Sequence, residues 1–265
     1  MDKPYRVTPD VVVLPAPFPI PGAGFLQINA FVIEAKEPVL IDTGMGIASE
    51  DFMKALESVI DPRDLRWIWL THDDADHIGS IRKVLAAAPK ARLVANSLAV
   101  LRMSTSWSVP MDRVNWLNPG DSIDAGDRTL TAVRPPLFDN PTTIAIHDNK
   151  SEAFFAADCF GALIPSPAAR NVEEISEEAL AQGMISWASA DSPWVHMVTP
   201  ADFSRSLDKI RQLAPKNLFS AHLPPALGKT ELLLALLAKV PASLPFVTPN
   251  QTALEQILAQ MGAGR

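Results

Sequence analysis

Short apolar runs alternate along the chain with stretches of helical periodicity. Runs rich in β-branched and aromatic residues, bounded by turn-forming residues, predict strands. They cover residues 26–34, 39–41, 66–70, 92–95, 128–133, 142–146 and 152–157, and a short strand ends at 218–219. Apolar residues at helical spacing predict helices over 49–60, 78–88, 172–184, 201–213, 231–240 and 252–261. This alternation is typical of an α/β protein.

No low-complexity linker or internal repeat divides the chain. The sequence therefore predicts one domain over residues 1–265, with terminal helices within 231–262. The apolar run 11–20 is interrupted by three prolines, which makes it a poor core for a signal peptide. The longest apolar stretch elsewhere, 232–240, is too short to span a bilayer. We expect a cytoplasmic protein without membrane contact.

Composition narrows the possible partners. Hydrophobic residues make up 48% of the chain and charged residues 20%, close to the average for globular proteins. The net charge of −7 leaves no basic surplus for a phosphate backbone, so we expect no nucleic-acid partner. The single cysteine, Cys159, excludes an internal disulfide and is consistent with a reducing compartment. A small-molecule substrate remains the expected partner.

The densest group of reactive side chains follows the predicted strand 66–70. Two histidines and three carboxylates lie there within six residues, namely His72, Asp73, Asp74, Asp76 and His77. Imidazole and carboxylate groups together are ligands for zinc, manganese or iron. The alternative is an acidic helix N-terminus, where aspartates interact favourably with the helix dipole.

The pattern His72-x-Asp74-x-Asp76-His77 resembles the His-x-His-x-Asp-His signature of the metallo-β-lactamase superfamily, with Asp74 in place of the middle histidine. Four further motifs occur in the family's order over residues 25–222. They are Asp42-Thr43-Gly44, Asp139-Asn140-Pro141-Thr142-Thr143 with Asp139 where histidine is usual, the strand that ends at Asp158, and Phe219-Ser220-Ala221-His222. The resemblance implies a four-layer αββα sandwich with a dinuclear metal site.

With a carboxylate at its middle position, the motif resembles that of the flavodiiron proteins and the stand-alone oxygen-binding diiron proteins, which use His-x-Glu-x-Asp-His. The resemblance implies two metal ions, with iron favoured and manganese or zinc as alternatives. It implies His72, Asp74 and Asp139 at the first metal, Asp76, His77 and His222 at the second, and Asp158 as the bridge. No segment long enough for a flavodoxin domain follows His222, so we expect a separate electron donor.

The charge of this implied ligand set bears on the chemistry. Four carboxylates balance two divalent ions, whereas the usual hydrolase site of the superfamily has only two carboxylates. A neutral, oxygen-rich site makes a metal-bound hydroxide less available and suits iron or manganese. We therefore expect binding or reduction of O₂ or a similar diatomic gas. The alternatives are a metal-dependent hydrolase of an ester, thioester, lactone or amide, and a non-catalytic metal-binding protein; the oligomeric state is not indicated.

Several residues outside these motifs are weaker candidates. Asp42 is expected either to hydrogen-bond loop backbone or a ligating histidine, or to be a plain turn former. Trp194 and His196 could line the pocket mouth, although surface packing is the favoured interpretation for His196. His147 is expected to be a solvent-exposed hairpin residue, and Cys159 a buried, unreactive thiol.

Overall fold

The computed structural model describes residues 1–263, so the last two residues of the predicted domain lie outside it. The first sheet has seven strands in sequence order: β1 (Tyr5–Thr8), β2 (Val11–Ile20), β3 (Gly24–Ile33), β4 (Val39–Ile41), β5 (Trp67–Trp69), β6 (Arg92–Ala95) and β7 (Val114–Trp116). Strands β1 to β4 pair antiparallel, whereas β4 to β7 pair parallel.

The second sheet has six strands in the reverse of sequence order. They are β8 (Ser122–Asp124), β9 (Thr129–Val133), β10 (Ala145–Asp148), β11 (Ala153–Phe155), β12 (Asn217–Phe219) and β13 (Ala226–Leu227). All pairs are antiparallel except β11 with β12, which run parallel. The two parallel regions, one in each sheet, supply the loops of the candidate site.

Helices cover the outer faces of both sheets. The first sheet packs against α1 (Ser49–Glu57), α2 (Ile81–Ala87) and α3 (Ser97–Ser104), and the second against α4 (Glu177–Asp191), α5 (Pro200–Leu213) and α6 (Thr230–Leu237). A last helix, α7, spans Gln251–Ala263. Between the sheets, the rings of Phe31, Phe155 and Phe219 pack with centroids 4.9–5.7 Å apart. These layers confirm the predicted αββα sandwich.

Strand β2 was not predicted, because it contains Pro15, Pro17 and Pro19. The backbone oxygen of Pro15 accepts from the Asp2 N–H on the β1 side of the strand. Because every second residue of a strand faces the same way, the backbone nitrogens of Pro15, Pro17 and Pro19 all face that side. Strand β1 pairs only with residues 11–13 of β2, which leaves no ladder bond for the prolines to break. The strand is therefore compatible with its prolines.

Other elements also differ from the predictions. The predicted helix 172–184 begins late, because Ser176 caps the Ala179 N–H, and α4 then continues to Asp191. Residues 142–144 form a turn rather than a strand, since Asn140 accepts from the Thr142 N–H. Helix α3 was not predicted at all. No helix among residues 1–263 is long and apolar enough to cross a membrane.

Candidate metal centre

The candidate site lies where four strands end. Asp42 follows β4 and the segment 71–77 follows β5, and these strands are parallel neighbours. Asp158 follows β11 and His222 follows β12, a parallel pair in the other sheet. Because parallel strands present their carboxyl ends at the same edge, each sheet contributes two adjacent loops to one site.

Asp158 lies at the middle of the site and is only 5% exposed. Its Oδ2 atom is 3.4 Å from His72 Nε2, while its Oδ1 atom is 3.0 Å from His77 Nε2 and 3.3 Å from His222 Nε2. The Oδ2 atom thus faces His72, whereas the Oδ1 atom faces His77 and His222. This is the arrangement expected of a carboxylate shared by two cations.

Three aspartates form the more exposed side of the site. Asp76 Oδ2 is 3.5 Å from both His77 Nε2 and His222 Nε2, and Asp74 Oδ2 is 3.8 Å from His72 Nε2. Asp139 is exposed, but one of its oxygens lies within 4.8 Å of ligand atoms of His72 and Asp74. The structure therefore brings together all seven residues that the resemblance implied, in two groups around Asp158.

Hydrogen bonds orient the histidine rings from behind. His77 Nδ1 lies 2.9 Å from Asp42 Oδ2, and His222 Nδ1 lies 2.7 Å from the Gln27 carbonyl oxygen. Asp42 also accepts from the Thr71 N–H and hydroxyl, each at 2.8 Å. With Nδ1 as the donor, each ring directs an Nε2 lone pair into the site, as metal-ligating histidines do.

The interior of the site fits a cation. His72 Nε2, His77 Nε2 and Asp158 Oδ1 are buried without a hydrogen-bond partner, a rare condition for polar atoms in a native core. Burial opposes ionisation of Asp158, but the surrounding imidazoles outweigh it and hold its pKa well below the ordinary value. Burial also opposes protonation of His77, yet Asp158 and Asp42 raise its pKa well above the ordinary value. The residues present favour positive charge here.

A model of the family described as ODP family beta lactamase matches residues 26–222. The chain belongs to this family. Among relatives, an uncharacterized protein of Methanocaldococcus jannaschii is 29% identical over 52% of this chain and 35% of its own length. An anaerobic nitric oxide reductase flavorubredoxin of Citrobacter koseri is 26% identical over 65% of this chain and 36% of its own length. The chain thus spans little more than a third of either relative.

Solved structures share the fold of this ODP-family protein. The flavodiiron protein from Giardia intestinalis superposes with a TM-score of 0.79 over 91% of this chain and 60% of that chain, at 15% identity. The likeness covers both sheets and confirms the metallo-β-lactamase-like architecture expected from the motifs.

The pocket candidates Trp194 and His196, and the expected hairpin residue His147, lie in different places. The Trp194 indole donates to the Phe138 carbonyl at 2.8 Å, which holds the backbone next to Asp139. His196 is half-buried and belongs to none of the metal-ligand groups within residues 1–263. His147 is a half-buried residue of β10, so the expectation of an exposed hairpin residue was wrong. His147 lies in the strand because β10 extends to Asp148, whereas the predicted strand ends at Ile146.

Sequence patterns missed the residues that hold Asp73 and Asp74. Asp73 pairs with Arg102 of α3, with Nε 2.8 Å from Oδ2, and accepts from the Thr142 hydroxyl, so it turns away from the imidazoles. Asn140 donates to Asp74 Oδ1 at 2.7 Å. Neither interaction could be expected without knowledge of α3 and of the turn at 140–143.

Helix α4 supplies two further residues. The Trp187 indole donates to the Asp158 carbonyl at 3.3 Å, and its ring meets the His222 ring edge-on at 4.7 Å. Asp191, one turn later, has an oxygen within 4.8 Å of oxygens of Asp139 and Asp158. Burial, with Asp158 and Asp139 nearby, raises the pKa of Asp191 to about 7. Both residues lie beyond the predicted end of the helix at Met184.

Proposed function

We propose that this ODP-family protein holds two iron ions and uses them to bind or reduce O₂ or a similar diatomic such as NO. The observation that carries the proposal is the position of Asp158, whose Oδ2 atom faces His72 and whose Oδ1 atom faces His77 and His222. A buried carboxylate so placed can join two ions, and aspartates complete both groups. We propose the seven residues His72, Asp74, Asp76, His77, Asp139, Asp158 and His222 as ligands.

The donor set favours iron or manganese over zinc. Three imidazoles and four carboxylates neutralise two divalent ions, and such oxygen-rich surroundings stabilise higher oxidation states. The same neutrality weakens the acidity of bound water, which disfavours hydrolysis by a metal-bound hydroxide. The inclusion of Asp139 in the group with His72 and Asp74 supplies the fourth charge and supports this choice.

The chain's own residues hold and orient the site. Asp42 and the Gln27 carbonyl fix the rings of His77 and His222, and Asn140 fixes Asp74. Bound iron would supply the change of oxidation state that reduction of a diatomic requires. The carboxylates of Asp74 and Asp76 are about one-third exposed, so a small ligand can approach from their side while the imidazoles stay shielded from water.

A separate donor is proposed to supply the electrons. The chain has one cysteine and hence no internal dithiol, and burial raises the pKa of the Cys159 thiol, which keeps it in the unreactive thiol form. The Citrobacter koseri relative is named a nitric oxide reductase flavorubredoxin, which supports both a diatomic substrate and an electron-transfer partner.

A paired experiment tests the proposal. The diferrous protein, prepared anaerobically, is mixed with O₂ or NO and followed by visible absorption and by gas consumption. The zinc form is assayed at the same pH against a panel of esters, thioesters and lactones. We expect a spectral change and gas uptake by the iron form, with sustained turnover only when a reductase is added. Rapid hydrolysis by the zinc form, with an iron form inert to both gases, would establish the hydrolase instead.

A further inference from the structure

Helix α4 places a carboxylate at the proposed first metal position that no motif includes. Asp191 is the last residue of the helix, four residues after Trp187, so both side chains lie on the face that meets the site. The helix is held close to the site because Gly183 packs against the Leu163 carbonyl, where a Cβ atom would come within 2.5 Å. Asp191 is therefore placed by packing rather than by a flexible loop.

Asp191, Asp139 and Asp158 form a compact group of carboxylates. One oxygen from each lies within 4.8 Å of the other two. Two oxygens bound to one ion lie at most about 4.4 Å apart, since metal–oxygen distances are about 2.0–2.2 Å. Among the described residues, no lysine or arginine forms an ion pair with any of the three, and the Ser192 hydroxyl donates to Asp191 Oδ2 at 3.0 Å.

A second observation shows that this group surrounds a position for a cation. His72 Nε2 is buried without a hydrogen-bond partner, and His72 is only 1% exposed. His72 Nε2 points at Asp158 Oδ2 from 3.4 Å, on the side where Asp139 also lies. Three ionised carboxylates in so small a volume repel one another unless a cation or a proton lies between them.

We infer that Asp191 is an additional ligand of the first metal position, which it shares with His72, Asp74, Asp139 and Asp158. This inference rests on the dinuclear centre proposed above. The first position then has one imidazole and four carboxylates, whereas the second, with Asp76, His77 and His222, has two imidazoles and two carboxylates, when Asp158 is counted at both. With Asp191 ionised, the centre has five different carboxylates, one more than two divalent ions neutralise, so the charge moves further from that of the usual hydrolase site. The first position is the harder of the two and holds Mn²⁺ or Fe²⁺ in preference to softer ions.

Titration of the metal-free protein with Mn²⁺ tests the inference, with free Mn²⁺ followed by electron paramagnetic resonance. We expect two ions per chain in the unmodified protein. Asp191→Asn should weaken one of them at least about tenfold and leave the other within about threefold. Glu178→Gln, which removes an exposed carboxylate from the same helix, should change neither.

The stability of the metal-free variant separates a ligand from a structural residue. Removal of one of three crowded carboxylates should leave the thermal midpoint of metal-free Asp191→Asn unchanged or higher at pH 8, even though metal binding is weaker. Asp191→Asn with two ions bound as tightly as in the unmodified protein overturns the role of Asp191 and leaves the dinuclear centre standing. A lower midpoint, in this variant or in Asp191→Ser, assigns Asp191 a structural role and also overturns it. Fewer than two ions in the unmodified protein overturns both proposals.

Discussion

Two of the buried imidazoles at the centre are held by a hydrogen bond at Nδ1. His77 is held by Asp42, a residue with a left-handed φ of 58° that also accepts two hydrogen bonds from Thr71. The turn conformation and the side-chain contacts of Asp42 act together. They place a carboxylate behind His77 and join the end of β4 to the end of β5.

Asp42→Asn should weaken the second metal position. Asparagine tolerates the left-handed backbone, but it replaces one acceptor oxygen with an NH₂ group, so either His77 or Thr71 loses its acceptor. Replacement of such a supporting carboxylate typically lowers metal affinity about 10- to 100-fold. Competition with a metal chelator measures the effect, and Asp51→Asn, at an exposed position of α1, is the control. Equal affinity in the two variants would show that Asp42 is a turn former without influence on the ligand.

The seven proposed ligands could be predicted from the sequence because each belongs to a short motif next to a strand end. Asp158 and His222 follow short, continuously apolar runs, which are typical of strands buried on both faces. Asp191 and Trp187 were not predicted, since the predicted helix ends at Met184, although apolar residues continue at helical spacing through Trp187 and Ala188. Their contacts with the site depend on tertiary packing at Gly183, which no local pattern reports.

Two loops of the first sheet fit together at the element scale. The loop after β4 and the ligand loop after β5 exchange backbone hydrogen bonds, from the Thr43 N–H to the His77 carbonyl at 2.6 Å and from the Gly79 N–H to the Gly44 carbonyl at 2.8 Å. A Cβ atom at Gly79 would lie only 2.1 Å from the backbone nitrogen of Gly46. The loops can approach so closely only because residue 79 has no side chain.

Gly79→Ala should therefore separate these loops. We expect a loss of about 1–3 kcal/mol in the free energy of unfolding, as for other overpacked sites, and weaker metal binding because His77 moves with its loop. Gly46→Ala, on the opposite side of the same contact, is the matched control, because its Cβ would meet nothing closer than 3.8 Å. Urea unfolding of both variants measures the difference. Similar losses in the two would refute the steric explanation.

At the scale of the whole molecule, the family motifs predicted the αββα sandwich, whereas strands such as β2 were not predicted. The prolines of β2 concealed a ten-residue strand, because their compatibility depends on how far β1 extends beside it. Sequence alone cannot show which side of a strand lacks a neighbour. We propose that residues 1–263 unfold as one domain, since the inter-sheet cluster joins strands from both halves of the chain.

His147 should contribute to the pH dependence of the free energy of unfolding. Burial lowers the pKa of this residue, which lies on β10 between Thr131 and Phe154. Above about pH 6.5 the imidazole is neutral in both states; as the pH falls, the unfolded chain takes up the proton first, so stability decreases. His147→Gln should reduce this decrease between pH 7.5 and 5.5, by at most about 1.4 kcal/mol per pH unit. Urea unfolding of the metal-free proteins measures it, and identical pH profiles would contradict the assignment.

Mössbauer spectroscopy of the ⁵⁷Fe-loaded protein tests the central proposal, two iron ions that share Asp158, most directly. We expect two ferric ions per chain in the oxidised protein, coupled through their bridge to a diamagnetic ground state. We also expect Asp158→Ala to retain neither ion, because this carboxylate faces His72 with one oxygen and His77 and His222 with the other. A single magnetically isolated ferric ion in the unmodified protein, or one fully occupied ion in Asp158→Ala, would contradict the dinuclear centre.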